Sequence, residues 1–242
     1  MVKVISTHPD SNISYRSEFC PPSHLHHLLH RSPLWPTVEE PLSKGAQFPL
    51  TRISNKSRLQ DLEEAIVRGN HRSTKTSSEI LKNLVIKDVS RDFQLPITIQ
   101  SAHQMPLYGL VHQYTIDESG KRIDKYCMTH DQSFNFSSKS SVNNRVKKDK
   151  LLDLIYGGAL RRILLHIHTL RYKLPHKRIL IGKYDFVSAY RRLTFSGHSA
   201  TSSCTVLNDI ALAFLQLTFW GSPCPFLWRP MVDIIADLVN NI

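Results

Sequence analysis

The sequence predicts an α+β protein in which an antiparallel sheet packs on helices. Apolar residues recur with helical periodicity between residues 57 and 90 and again between 159 and 172, whereas residues 92–129 have the composition of strands. Of the 242 residues, 41% are hydrophobic, which is enough to build a core. The composition is globular, and the length allows one large domain or two small ones.

Residues 1–56 are predicted to form a poorly ordered lead-in, because prolines interrupt any periodic pattern there. They are Pro21, Pro22, Pro33, Pro36, Pro41 and Pro49. The N-terminus has no sustained apolar run of the kind found in signal peptides, and the apolar segment 210–219 is too short to cross a bilayer. The 4 cysteines are too few and too widely spaced for a disulfide framework. We therefore expect an intracellular protein, in the cytoplasm or nucleus, with no membrane partner.

Two helices come next in the chain. A capping-box pattern from Ser57 to Gln60 predicts the start of a helix that ends at Gly69 and repeats its apolar residues at Leu59, Leu62 and Ile66. A second helix is predicted over residues 78–90, with one buried side formed by Ile80, Leu81, Leu84, Val85 and Val89.

Strands follow the helices. Residues 95–99 read as one strand, and residues 107–116 and 122–129 are joined by a turn that contains a glycine, which predicts a β-hairpin. His130 and Asp131 follow directly, but neighbours on a strand point to opposite faces, so they do not form a catalytic dyad. No nucleophile motif is present, which disfavours a hydrolase.

The second half of the chain alternates basic and apolar segments. A helix is predicted over residues 159–172, with an apolar side of Leu160, Ile163, Leu164, Ile167 and Leu170. A short buried strand is predicted from Arg178 through Ile181, and another lies near residues 205–207. The apolar segment from Ile210 fits a helix or a strand. A final helix carries Met231, Ile234, Ile235, Leu238 and Ile242 on one face; because this stripe runs to the last residue, we expect that material it packs against is missing.

The positive charge of the chain is concentrated in its middle. Residues 139–192 hold 14 Lys/Arg against Asp149, Asp153 and Asp185, a balance of +11 that equals the net charge of the whole chain. Such a concentration of cations is typical of proteins that bind a polyanion such as nucleic acid. The alternative is a solvated basic face without a partner.

Asp185 lies where the predicted strand ends and is flanked by Lys183, Arg191 and Arg192. A carboxylate among cations is suited to hold a divalent metal beside phosphates, because its oxygens bind the ion while the cations meet the anionic ligand. The alternative is a strand-end aspartate paired with a neighbouring arginine.

Four segments occur in a fixed order along the chain. They are Thr129-His-Asp-Gln-Ser-Phe134, Ser141-Val-Asn143, Lys183-Tyr-Asp-Phe-Val-Ser-Ala-Tyr-Arg-Arg192 and Leu217-Thr-Phe-Trp-Gly-Ser-Pro-Cys-Pro225. Together they resemble the reverse transcriptase domain of retroelements over residues 57–242, most specifically in the last two segments. The resemblance implies a partial right-hand polymerase fold, with fingers at residues 57–177 and an incomplete palm at 178–242.

The resemblance also implies roles for individual residues. Asp185 matches the first metal-binding carboxylate of a two-Mg²⁺ polymerase site, with the backbone carbonyl of Phe186 beside the same ion. Tyr190 matches the aromatic residue that stacks under the incoming sugar, although packing in the core is an equal alternative. Gly221 offers bare backbone to nucleotide and template, and Lys125 contacts the nucleotide phosphates. The nucleic-acid phosphates are then contacted by Lys147, Lys148, Lys150, Lys183, Arg191 and Arg192.

The chain departs from the family in three places. The second pair of aspartates is absent from the 242 residues, Cys127 stands where the family has an arginine that grips the triphosphate, and Trp220 stands where glycine is usual. Both substitutions would reduce nucleotide binding. We therefore expect a fragment of an RNA-directed DNA polymerase that is inactive alone and binds RNA template and RNA–DNA duplex, with deoxynucleoside triphosphates as ligands of an active polymerase. The alternative is a non-catalytic nucleic-acid-binding protein derived from a retroelement.

Overall fold

Helices and two small antiparallel sheets make up the described part of the chain. The computed structural model describes residues 21–154, 158–182, 185–219 and 221–240. Within these ranges the helices are α1 Pro22–Leu29, α2 Trp35–Lys44, α3 Asn55–Arg68, α4 Arg72–Lys75, α5 Ser78–Val89, α6 Val142–Arg145, α7 Ala159–Lys173, α8 Gly197–Thr201 and α9 Cys224–Asn240. The strands are β1 Gln94–Ile97, β2 Leu107–Ile116, β3 Arg122–Asp131, β4 Cys204–Leu207 and β5 Ile210–Phe214. The α+β class predicted from the sequence is therefore confirmed.

The β2–β3 hairpin confirms the strongest local prediction. Its register runs from Leu107 opposite Asp131 to Ile116 opposite Arg122. Asp117 closes the turn, because its carboxylate accepts hydrogen bonds from the backbone N–H groups of Ser119 and Lys121. The half of the hairpin near the core is buried, whereas its tip extends into solvent.

The second sheet has the order β1-β5-β4, and both of its pairings are antiparallel. Its strand β5 occupies the apolar segment whose helix or strand character the sequence left open. Leu212 and Phe214 on β5 pack with the hairpin residue Tyr108 and with Leu81 and Val85 on α5. Helix α5 therefore buries the side that its periodicity predicted, and it joins the two sheets in one apolar cluster.

Helix α3 begins three residues earlier than the sequence predicts. Ser54, not Ser57, is the N-cap, and its hydroxyl accepts the backbone N–H of Ser57 at 3.0 Å. The buried positions include Asp61, Leu62 and Ala65, whereas Leu59 and Ile66 are exposed. The buried side of α3 therefore differs from the predicted one. It includes Asp61, whose carboxylate accepts hydrogen bonds from the backbone N–H and the hydroxyl of Ser138.

The proline-rich segment is organised from residue 21 onward, in contrast to the predicted disorder. Helices α1 and α2 begin with proline in their first turns, where the missing N–H costs no hydrogen bond. Trp35 and Val38 of α2 are buried in the cluster that also holds Met231 and Ile234 of α9. Gly45 follows α2 with a φ of +80°, and a Cβ there would lie 2.6 Å from the carbonyl oxygen of Phe195. The lead-in is thus part of the core, and its residues 1–20 lie outside the described ranges.

Helix α7 and the residues after it differ most from expectation. The helix forms where predicted, but its apolar side is exposed: Leu160 is 69% and Leu164 57% accessible. Residues 178–182 are irregular rather than a buried strand, and Leu180 and Ile181 are 77% and 71% accessible. An apolar run becomes a strand only when another strand pairs with it, and the described residues supply none here. Among the described helices, none is both long and apolar enough to cross a membrane.

Candidate functional site

The segment around Tyr190 meets the segment around Phe219 through aromatic contacts. A 3₁₀ turn over Ala189–Arg192 follows Ser188, which adopts a left-handed conformation with φ of 54°. The ring centroid of Tyr190 lies 5.5 Å from that of Phe219 and 6.4 Å from that of Trp228 on α9. Phe186 packs edge-on against the same tryptophan at 5.6 Å. Aromatic rings at these distances attract each other, so these contacts hold residues 186–192 against α9 and the segment before it.

Hydrogen bonds join the other two segments of the resemblance to the turn at Gly221. The side-chain amide of Gln132 donates to the hydroxyl of Thr218 at 2.9 Å. The backbone N–H of Asn143 donates to the carbonyl of Gln132, and the side-chain oxygen of Asn143 accepts the N–H of Ser222 at 2.7 Å. All four segments that carry the sequence resemblance therefore converge in one region of the fold.

Gly221 is buried in this region, and its lack of a side chain is explained by packing. A Cβ at this position would lie 2.8 Å from the sulfur of Cys224 and 2.9 Å from Oε1 of Gln132. The glycine thus allows the turn to approach Gln132 and the first turn of α9. This close approach is a sufficient reason for glycine without any bound nucleotide.

Arg191 lies in a largely buried polar network. Its guanidinium donates to Asp88 on α5 at 2.8 Å, with the two side chains 22% and 12% accessible. The same carboxylate oxygen accepts the amide of Gln94 at 2.9 Å, and Tyr108 donates its hydroxyl to Gln94 at 2.7 Å. The guanidinium also lies 4.9 Å from the ring centroid of Phe93. Arg191 therefore anchors the turn that carries Tyr190 to α5 and the sheets, so it does not point to solvent as a free phosphate ligand.

The sequence contains one signal for this network. Asp88 follows Leu81 and Val85 at helical spacing, which places a carboxylate on the buried side of α5. A charge at such a position requires a partner, because an unpaired buried charge is costly. The identity of the partner, 103 residues away, has no local signal.

His130 and Asp131 point to opposite faces of β3, as predicted. His130 is buried against Phe214, with ring centroids 4.0 Å apart, and neither ring nitrogen has a hydrogen-bond partner among the described residues, although the backbone of Phe219 lies nearby. Burial, together with the positive charge of Arg191, lowers the pKa of His130 to about 3, so its ring is neutral at physiological pH. Asp131 instead contacts His71 at 3.0 Å. The pairing with His71, 60 residues earlier, is not visible in the sequence.

The predicted phosphate-binding cations are spread over several surfaces. Lys147, Lys148 and Lys150 are exposed on the 3₁₀ turn over residues 148–150 and beside it. Lys125 is exposed on the outer half of the hairpin, where Cys127 donates a weak hydrogen bond to Gln113. Arg192 donates to the carbonyl of Val187 at 2.9 Å and is half-buried. Lys183 and Trp220 lie outside the described residues.

Asp185 is exposed and lies on an irregular segment, not at the end of a strand. No salt bridge joins Asp185 to an arginine within the described residues; Arg191 pairs with Asp88, and Arg192 donates to the carbonyl of Val187. In the described part of the chain, no three His, Cys, Asp or Glu side chains are grouped so that they could hold a metal ion. One carboxylate does not make a magnesium site, since Mg²⁺ in a polymerase is held by several carboxylate and phosphate oxygens.

The exposed groups of this region are of kinds that bind nucleotides and nucleic acids. The region combines a partly exposed aromatic cluster of Phe186, Tyr190 and Phe219 with a single exposed carboxylate and exposed lysines elsewhere on the surface. Aromatic rings stack on bases or sugars, and lysines neutralise phosphates. We compared the chain with protein-family models, with curated proteins and with solved structures, and none of them matches it.

Proposed function

We propose that residues 57–242 are the fingers and part of the palm of an RNA-directed DNA polymerase, similar to the reverse transcriptases of retroelements. The observation that supports this proposal is the convergence of four separate segments. The aromatic contact between Tyr190 and Phe219 and the hydrogen bonds from Gln132 and Asn143 bring together residues that match the motifs of this family. The bound ligands are an RNA template, an RNA–DNA duplex and deoxynucleoside triphosphates.

In this proposal the exposed groups of the region have distinct roles. Lys147, Lys148 and Lys150 contact phosphates of the nucleic acid, because they are exposed and none of them forms an ion pair among the described residues. Phe186 and Tyr190 contact the nucleotide with their accessible edges, although Tyr190 is also partly packed against the core. Arg191 acts by holding the turn in place rather than by contacting phosphate.

Catalysis needs more carboxylates than this region supplies. Asp185 is the one acidic side chain in the segment from 185 to 192, and the residues that the structure describes gather no metal-binding group around it. We therefore assign binding of nucleic acid, and no transfer step, to residues 57–242. The purified chain is expected not to extend a primer on an RNA template in the presence of Mg²⁺; extension would show that this assignment is wrong.

Salt-dependent binding of an RNA–DNA duplex tests the proposal directly. The affinity of the 242-residue chain for a fluorescent duplex is measured between about 50 and 200 mM salt, because each phosphate contact contributes a slope of roughly 0.7–0.9 in log K against log salt. Replacing Lys147, Lys148 and Lys150 by alanine is expected to lower this slope by about 2–3. The matched control replaces Lys82 and Lys87, which are exposed on α5, and should leave the slope unchanged. Equal slopes in all three proteins would contradict the assignment.

A non-catalytic nucleic-acid-binding protein is the second candidate, and the exposed, isolated position of Asp185 favours it. The two candidates differ in what Asp185 contributes. If the region keeps a polymerase nucleotide site, Asp185→Ala lowers Mg²⁺-dependent binding of deoxynucleoside triphosphates. If it is a binding protein alone, the variant binds duplex as the wild type does and neither protein binds nucleotides.

A further inference from the structure

Helix α7 presents an apolar stripe to solvent. Leu160, Ile163 and Leu164 lie at helical spacing on one side of the helix, and each is more than half accessible. Soluble proteins seldom leave a contiguous apolar surface uncovered unless it binds something. This stripe is therefore a candidate docking surface.

The residues after α7 form a groove beside the stripe, and Ile163 belongs to both. Ile179, Leu180 and Ile181 run beside Ile163, Ile167 and Leu170, and the space between them has a volume of about 540 Å³. A concave apolar surface of this kind receives side chains that project from another element, as grooves that bind amphipathic helices do.

Positive charge surrounds the groove. The segment 158–182 contains six lysines and arginines and no aspartate or glutamate. The cations are Arg161, Arg162, Arg171, Lys173, Lys177 and Arg178, and all are exposed. None of them forms a salt bridge in the part of the chain that the structure describes. An occupant that carries negative charge beside apolar side chains would compensate both features.

We propose that the groove along α7 binds an acidic amphipathic helix of a partner protein. The 15 residues of α7 span about 22 Å, so the occupant needs about four turns, with leucine or isoleucine at every third or fourth position and Asp or Glu on either side. This inference does not depend on the proposed polymerase ancestry, because it uses only the charge, shape and exposure of residues 158–182.

Other occupants satisfy fewer of these features. A second copy of the chain docked groove to groove would bring another set of six cations against the first, which opposes association. A nucleic acid would neutralise the cations but would leave the leucines and isoleucines in water. An anionic lipid surface would meet the cations and the outer leucines, but it has no side chains to fill a groove between two segments.

A designed peptide tests the proposal. The probe is a fluorescein-labelled 18-residue peptide built from Leu, Ala, Glu and Gln, with leucines on one helical face and glutamates on both flanks. A scrambled peptide of the same composition keeps the charge and removes the stripe. Fluorescence anisotropy with the full 242-residue chain is expected to show saturable binding of the probe that is at least about tenfold tighter than binding of the scrambled peptide, because only the probe fills the groove.

Two variants of the chain separate the apolar and ionic contributions. Ile163→Glu and the double variant Arg161→Glu/Arg162→Glu are each expected to weaken probe binding about tenfold or more, because Ile163 and Arg162 line the groove. Neither should unfold the protein, because all three side chains are exposed. Val67→Glu, at an exposed apolar position on α3, is the control and should bind as the wild type does. Circular dichroism verifies that each variant is folded.

Three results would overturn the proposal. The first is equal binding of the probe and the scrambled peptide. The second is binding of vesicles rich in phosphatidylserine without binding of the probe. The third is loss of RNA–DNA duplex binding in Ile163→Glu without any binding of the probe by the wild type. The second result would assign the surface to anionic lipid, and the third would assign it to nucleic acid.

Discussion

The carboxylate of Asp88 accepts two hydrogen bonds inside the fold, so replacing it with alanine measures what the network around Arg191 contributes. The change removes the ion pair that connects α5 to the turn carrying Tyr190. It also leaves the amide of Gln94 without one acceptor, at a position that is 2% accessible. Both consequences lower the free energy of unfolding.

The size of the effect follows from the burial of the partners. A hydrogen bond to a charged group contributes about 1.5–3 kcal/mol, and leaving a buried amide unpaired costs about 1–3 kcal/mol. Arg191 keeps some access to water and partly recovers its hydration, so the sum is reduced. We expect Asp88→Ala to destabilise the protein by about 3 kcal/mol, which corresponds to a decrease in Tm of about 6–12 °C for a chain of this size.

Chemical denaturation followed by circular dichroism measures the change directly. Glu79→Ala is the matched control, because Glu79 lies on the same helix and its contact with Lys82, at 3.7 Å, is largely exposed. The control should change the free energy of unfolding by less than about 0.5 kcal/mol. If the two variants were equally stable, the network would contribute no more than a surface ion pair, and the reasoning would be refuted.

Three further predictions concern packing, capping and protonation. Gly221→Ala is expected to lower the free energy of unfolding by about 1–3 kcal/mol, because the added methyl group would lie 2.9 Å from a side-chain oxygen of Gln132. Gly158→Ala is the control, because a methyl group at Gly158 would meet open space, and it should have little effect in the same denaturation experiment. Ser54→Ala is expected to lower the free energy of unfolding by about 1 kcal/mol, because it removes the N-cap of α3. Ser57→Ala keeps the N-cap and should lower the free energy of unfolding by less. Equal decreases in the two variants would show that Ser54 is not the cap. NMR titration should show that His130 stays neutral until about pH 3. The pKa of His130 in the folded state is below its unfolded value, so its contribution to stability is lost as pH falls below about 6.5. The free energy of unfolding then decreases by up to about 1.4 kcal/mol per pH unit from this residue. A ring that titrates near pH 6.5 in the folded protein would contradict the prediction.

Elements with strong local signals were predictable from the sequence. The β2–β3 hairpin has alternating strand-forming residues and a glycine-containing turn, and its position agrees with the prediction to within two residues. Helices α5 and α7 also lie where their apolar periodicity places them. In these elements the chain conformation depends mainly on residues close in sequence.

The failures arise where the outcome depends on distant residues. The prolines of α1 and α2 suggested an irregular segment, but at the start of a helix proline is favourable, and the burial of Trp35 against α9 stabilises the fold there. Residues 178–182 have the composition of a strand but lack a pairing partner among the described residues. The apolar stripe of α7 predicts burial, yet nothing in its periodicity says which surface would cover it.

The candidate site was predictable in its parts but not in its assembly. The sequence motifs contain Asp185, Tyr190 and Gly221. In the structure, the segments around Tyr190 and Gly221 meet each other, and Gln132 and Asn143 contact the turn at Gly221. The sequence did not show that Arg191 pairs with Asp88, since a salt bridge across 103 residues depends on the tertiary fold. The role of a cation such as Arg191 therefore depends on the partner that the tertiary fold supplies.

The pairing of β1 with β5 has a consequence for how the protein is synthesised. Gln94 pairs with Phe214, so β1 remains without its partner while about 120 further residues are translated. At about 5–20 residues per second, that interval is about 6–24 s. The hairpin, by contrast, closes within microseconds once both strands have left the ribosome. During this interval β1 is an unpaired strand that other chains could join. Two features limit such mispairing: β1 is only 4 residues long, and its Pro96 has no N–H to donate.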